Sequence, residues 1–274
     1  MICSQKTLRI IYAAALQQVM EKCLEHFYKQ NSGLEFEMEG VGSREGAKRL
    51  LSGEKYDIIA LADQALFAEL LVPDLVKDYF VFAADQLVIG YDRSSRESKE
   101  ITPGNWVDTL LKQQVRFARS DHHLVPRGYR TLMVWQLAEI FYERPGLYSI
   151  LEAACMPYTT YPKSLDLSSA LFKGKVDYAF LYSSEAKQLG LPYIVLPSKI
   201  NLSNPAYAKF YDQASVTVES KVPRKNVIIH GHPIEFAIGL SKKSQHPDQA
   251  QAFVDFLTGT EGSSILEECG LIPC

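Results

Sequence analysis

The sequence predicts an α/β fold, a largely parallel sheet with helices on both faces. Three observations predict it. Short apolar runs alternate with segments whose apolar residues recur every three or four positions. The runs are too short for helices, and tight connections or glycines follow several of them. The chain has 274 residues, 47% of them apolar, enough to bury a large core in one or two domains. Strand, loop and helix repeated in that order is the pattern of a parallel sheet covered by its crossover helices.

Leu8 to Tyr12 is a buried strand, and Ala13-Ala14-Ala15 the connection after it. Leu16, Val19, Met20, Cys23, Leu24 and Phe27 then mark a helix by their spacing. Leu34, Phe36 and Met38 alternate with Glu35, Glu37 and Glu39, which predicts a strand with one wet face. Gly42-Ser43 ends it, and Ser43 is expected to cap a helix over 44–52 that Gly53 closes. Asp57 to Ala62 is the next buried strand.

The middle repeats this order. Strands are expected at 85–91, 115–118, 177–182 and 193–196, and helices at 106–112, 129–142, 165–172 and 183–189. The last part changes character. Residues 214–219 and 227–230 alternate like antiparallel or crossover strands, 233–240 is an apolar strand, and helices follow from 246 and from 263.

Composition narrows the function. A net charge of −3 gives no general attraction to nucleic acid. No apolar run approaches the roughly 20 residues a membrane span needs. There is no GxSxG elbow, no GxGxxG and no Walker A loop. His122 and His123 are adjacent and expected to point to different sides; His230 and His232, on one face of a strand, are the better pair but lack a third ligand nearby. No catalytic group, metal site or cofactor is expected. Of the five cysteines, Cys3, Cys23, Cys155, Cys269 and Cys274, none forms a CxxC pair. Cys269 and Cys274 could close a small loop, and Cys23 and Cys155 read as buried thiols in helices.

Ligands of open α/β sheets bind beyond the carboxyl ends of the strands. Four loops lie there: Ala13-Ala14-Ala15, Gly42-Ser43, Ser120 to Gly128, and Tyr182-Ser183-Ser184. Helix starts offer unpaired N–H groups and the positive end of the helix dipole, which hold an anion without a basic side chain.

Several stretches resemble one known family. They are Val115-Arg116-Phe117 to Ser120-Asp121, Gly128-Tyr129-Arg130-Thr131-Leu132-Met133-Val134, and Asp177-Tyr178-Ala179-Phe180. Ile200-Asn201-Leu202, Tyr207 to Tyr211, His232-Pro233-Ile234 and Phe253 to Leu257 are similar too. Together, over nearly the whole chain, they resemble the archaeal-type tungstate/molybdate-binding proteins of ABC transporters. The resemblance implies a two-lobed periplasmic-binding-protein fold of type II, with mixed sheets, flanking helices and hinge crossovers, closing like a clamp. Lobe I is expected at 1–83 plus 205–274 and lobe II at 84–204.

The resemblance also implies a site in the inter-lobe cleft. Two family serines that bond the oxyanion fall on Ala15 and Ser43, of which only Ser43 keeps a hydroxyl. Two family carboxylates fall on Val125 and Leu181, and apolar side chains cannot replace ligands of a hard metal centre. Arg127, Gly128 and Ser183 complete the expected anion-binding set. Two readings follow: a tetrahedral oxyanion held by N–H and hydroxyl donors alone, or a specificity moved elsewhere. The latter would be a small organic acid anchored by Arg127, Arg130 or a histidine, or a sensor on the same clamp. The implied partners are a small anionic ligand and an ABC transporter permease, with no nucleic acid. The implied setting is periplasmic or extracytoplasmic. The start Met1-Ile2-Cys3-Ser4 resembles that of a bacterial lipoprotein whose signal has been replaced, which makes Cys3 the expected lipid anchor.

Overall fold

The structure, a computed structural model, describes residues 6–31, 33–123, 125–155, 159–162, 164–219 and 226–274. Cys3, the expected lipid anchor, lies outside these residues. The chain divides into two compact units, one of residues 1–84 with 234–274 and the other of 85–233.

The first unit is built on a six-stranded mixed sheet. β1 (Lys6–Ala13), β2 (Leu34–Val41) and β3 (Ile58–Leu61) form its parallel part. β4 (Val76–Asp85), β12 (Ile234–Ser241) and β13 (Ile272–Pro273) complete the order β13-β4-β12-β3-β1-β2. The register opposes Ile10 to both Met38 and Ile58. β3 is buried at every residue, whereas β2, on the sheet edge, alternates between half-buried apolar residues and glutamates. A central strand covered on both faces reads as an apolar run, and an edge strand keeps its alternation.

α1 (Gln17–Gln30) buries the stripe Val19, Met20, Cys23, Leu24 and Phe27. α2 (Ser43–Leu51) buries Ala47 and Leu50 beside Ile11, Ile59 and Leu61. α9 (Pro247–Thr258) and α10 (Thr260–Glu268) carry the C-terminal part of the chain back over the unit. Phe27 meets Phe253 edge-on, with ring centroids 5.4 Å apart, and so joins α1 to α9. Burying a side chain of this size stabilises by about 1.5–3 kcal/mol.

The second unit has a five-stranded sheet in the order β7-β6-β8-β5-β9. These strands are β5 (Leu87–Tyr91), β6 (Phe117–Ser120), β7 (Thr160–Tyr161), β8 (Tyr178–Tyr182) and β9 (Tyr193–Val195). β6 runs parallel to β7 and β8, and β5 antiparallel to β8 and β9. Its helices are α3 (Trp106–Leu110), α4 (Pro126–Phe141), α5 (Leu147–Ala154), α6 (Ser164–Phe172), α7 (Ser183–Gln188) and α8 (Ala208–Tyr211). Trp135 packs edge-on against Phe117 and Phe180, and Phe180 against Trp106.

Three differences from the sequence reading matter. β4 has no counterpart in the sequence reading; after buried Val76 its first half is exposed or half-buried, and only Phe82 to Asp85 forms a continuous buried run. α5 has no counterpart in the sequence reading either; it starts after Gly146, whose φ of 85° suits glycine. The largest correction concerns residues 205–233, expected in the first lobe. They belong to the second unit, because β10 (Ser215–Glu219) and β11 (Asn226–His230) form an antiparallel ribbon bonded to α4. Gln136 of α4 donates to the Ser215 carbonyl at 2.9 Å and accepts from its N–H at 2.9 Å.

Candidate functional site

The expected site residues do not share one fate. Ala15 lies in a single 3-10 turn, Ala14–Leu16, at the carboxyl end of β1, and it is exposed. Ser43 is the first residue of α2. The capping residue is Gly42, which corrects the expected assignment of the cap to Ser43. Glycine brings no side-chain oxygen to that first turn, and a Cβ built on Gly42 meets no atom within 4 Å.

Ser43 is buried, and its Oγ accepts from the Ala62 N–H at 3.1 Å. That bond ties the loop after β2 to the end of β3 and fixes the hydroxyl. A hydroxyl has one proton and two acceptor lone pairs, so an oxygen that accepts from Ala62 keeps its own proton to donate. Three parallel strands of the first unit thus end just before Ala15, Ser43 and Ala62, and two of these ends run into helical turns.

In the second unit the expected donors are already engaged. Ser183 begins α7 after Tyr182 and is buried. Its hydroxyl donates to Asp85 Oδ1 at 2.7 Å and its N–H to the same oxygen at 3.1 Å. The Ser184 hydroxyl donates to Asp85 Oδ2, and the Gln86 N–H to Oδ1 at 2.7 Å. The start of α7 therefore holds an anion that the chain supplies itself. Asp85 is wholly buried, and burial raises its pKa, partly offset by the donors of Ser183 and Ser184. An external oxyanion at this turn would compete with Asp85 for the Ser183 donors. Nothing in the local sequence pairs residues 98 positions apart; the only signal is a carboxylate at the end of an apolar strand.

Arg127 is engaged within the fold too. It is 1% exposed. Its Nε and Nη2 donate to Ser120 Oγ at 3.1 and 2.8 Å, and its Nη1 pairs with the Glu185 carboxylate. Glu185 also accepts from Ser168 Oγ at 3.2 Å. Burial pulls Arg127 down to about 10, still well above neutral pH, so the guanidinium stays charged. It locks β6, α4 and α7 together and does not present its charge to a ligand. Arg130, also 1% exposed, donates to the Tyr182 hydroxyl at 2.7 Å.

Val125 precedes α4 in an extended conformation and is half-buried. Gly128 lies in the first turn of α4, where a Cβ would come within 2.4 Å of the Asp121 carbonyl oxygen. Its role is close backbone packing. Leu181 is fully buried on β8 opposite Val88, inside the hydrophobic cluster with Leu167, Leu171 and Val176. It is a core residue.

The histidines also differ from expectation. The rings of His122 and His123 lie against each other, centroids 3.8 Å apart and planes tilted by 40°, instead of pointing apart. Burial, then His123 and Arg119, lower the pKa of His122. β11 ends at His230, so His230 and His232 do not share a strand face. Among the described residues no group of three or more His, Cys, Asp or Glu could hold a metal ion. No helix there is long and apolar enough to cross a membrane.

Known proteins share this fold and sequence. A molybdate/tungstate-binding protein WtpA of Pyrococcus abyssi is 30% identical over 293 residues, covering 96% of this chain and 84% of that protein. A solute-binding protein of Petrotoga mobilis is 35% identical over 262 residues, covering 95% and 82%. The periplasmic molybdate-binding protein of Azotobacter vinelandii superposes with a TM-score of 0.67 over 97% of this chain and 98% of its own, at 13% identity, which speaks for the fold alone. The family model described as bacterial extracellular solute-binding protein matches residues 8–272. With nearly its whole length matched by that model, the chain belongs to the bacterial extracellular solute-binding protein family.

Proposed function

We propose that this chain captures a tetrahedral oxyanion of the molybdate and tungstate class for an ABC importer, holding it through N–H and hydroxyl donors without carboxylate ligands. The observation that carries the reading is Ser43. Its hydroxyl is buried at the first turn of α2, fixed by the Ala62 N–H, and keeps a proton to donate. Ala15 adds backbone donors from the neighbouring turn. The relatives from Pyrococcus abyssi and Thermococcus kodakarensis named for molybdate and tungstate support the ligand class. Val125 and Leu181 lack oxygen ligands, so the coordination sphere of the bound anion stays tetrahedral. The protein binds and hands over its solute unchanged, and Cys3 tethers it to the membrane outside the cytoplasm.

The organic-acid reading loses its first anchor, because Arg127 spends its charge on Glu185. Titration calorimetry with tungstate, molybdate, sulfate and phosphate tests the proposal. Heat with tungstate or molybdate is expected, together with roughly tenfold weaker binding by Ser43→Ala, as for one lost hydrogen bond to an anion. No heat with any of the four overturns the oxyanion reading. The tether is tested separately by mass spectrometry of the N-terminal peptide from the membrane fraction; an unmodified Cys3 overturns it.

A further inference from the structure

The C-terminal helix α10 is laid antiparallel along α1. Two contacts fix the register: Gln30 Nε2 donates to Glu261 Oε2 at 2.7 Å, and Lys22 Nζ meets Glu268 Oε2 at 3.5 Å. Each residue of the second pair directly precedes a cysteine, Cys23 in α1 and Cys269 at the end of α10. Both cysteines belong to the faces that mate. Cys23 is on the buried stripe with Val19, Met20, Leu24 and Phe27. Cys269 continues the buried spacing of Gly262, Ile265 and Leu266. They are 0% and 2% exposed. The structure holds both as thiols, with Cys155 and Cys274.

We propose that Cys23 and Cys269 form a disulfide that staples α10 to α1. The family acts outside the cell, where disulfides form and persist. In the bond-forming step the two thiols give up two protons and two electrons as the S–S bond forms. A disulfide oxidant, either a thiol–disulfide oxidoreductase or a small-molecule disulfide, takes the electrons and protons and becomes two thiols. Burial, and then the nearness of Cys269, push the Cys23 thiol up to about 12, which leaves little thiolate in the folded protein. Oxidation therefore takes place as the chain folds, before the helices seal the pair, and the finished bond is shielded from reductant. Cys155, beside the Phe117 carbonyl and Thr159 in the other unit, stays a thiol. So does exposed Cys274, which sits at the sheet edge with its N–H on the Phe82 carbonyl.

The test refolds the full chain from reduced, denatured protein in an oxidised/reduced glutathione mixture. A non-reducing peptide map should show the Cys23 peptide linked to the Cys269 peptide. Cys274→Ser should leave that link intact, and Cys23→Ser should abolish it. The oxidised protein should melt roughly 5–10 °C higher than the same protein refolded in dithiothreitol, as expected for a cross-link closing a long loop. A map with Cys269 linked to Cys274, or with both peptides unlinked, overturns the staple. Because the oxidant is supplied in the tube, neither result depends on which solute the protein binds.

Discussion

α2 and α7 begin in the same way. Each follows a buried or half-buried strand, each has a capping residue in extended backbone with φ and ψ near −70° and 145°, and each opens on a buried serine. Their chemistry diverges at one point. At α7 the Asp85 carboxylate takes both serine hydroxyls and the first N–H groups, so the turn is neutralised from within. At α2 the serine oxygen accepts from Ala62 and Gly42 supplies no oxygen. A helix start is thus an anion site only when the fold does not fill it first.

The strongest way to break this comparison is to disturb the closed side. Arg127→Ala removes the guanidinium from Glu185 and leaves a carboxylate in a mostly buried place. Loss of about 3–5 kcal/mol is expected in denaturant titrations, the usual cost of orphaning one member of a buried pair. The combined Arg127→Met and Glu185→Leu variant should recover most of it. A stable single variant would mean that Arg127 is not a structural lock.

Gly128→Ala comes next. The added methyl group must push against the Asp121 and Ser120 carbonyls at 2.4–2.6 Å, which are backbone atoms and cannot swing aside. A loss of about 3 kcal/mol is expected in the same assay.

Asp85 sharpens the comparison through pH. Burial raises its pKa, so its contribution to stability is present below the unfolded value near 4 and is lost as pH rises through the folded value. Asp57 of the first unit behaves oppositely. Burial works to raise it, but donors from Ser244, Arg9, Gln245 and His246 outweigh burial and lower its pKa, so its contribution is lost as pH falls below about 4. Compared with Asp85→Asn, the natural protein should lose stability steadily from about pH 4 upward. Compared with Asp57→Asn, it should lose stability on the acid side. Parallel curves for Asp85→Asn and the natural protein would show that the carboxylate titrates alike folded and unfolded.

These contrasts also explain what could be read in the sequence. β1, β2, β3 and α1 were legible because a strand with one wet face and a helix with one buried stripe leave their period in the order of residues. The α2 start was legible to within one position, since Gly42 and Ser43 are both acceptable caps and only the backbone decides between them. Arg127 misled because a charged residue in a loop before a helix looks exposed; its partner, Glu185, is 58 residues away. Leu181 misled because family position stood in for geometry, while its neighbours Tyr178 to Tyr182 are buried at every residue and mark it as core. Asp85 is hidden for the same reason as Arg127, as four of its five donor groups come from a helix nearly a hundred residues on.

The smallest effects on stability decide the comparison most directly. Ser183→Ala removes one buried hydrogen bond to a carboxylate and should cost about 1.5–3 kcal/mol, with tungstate or molybdate affinity unchanged. Ser43→Ala removes a neutral bond from Ala62 and should cost only about 1 kcal/mol. In calorimetry, however, it should weaken the anion roughly tenfold, because the hydroxyl proton faces a charged acceptor there. The two serines differ in sequence context hardly at all, so the split between stability and affinity isolates what Asp85 does. If Ser183→Ala weakens the anion and Ser43→Ala does not, the ligand displaces Asp85 at α7, and the open helix start is the wrong one.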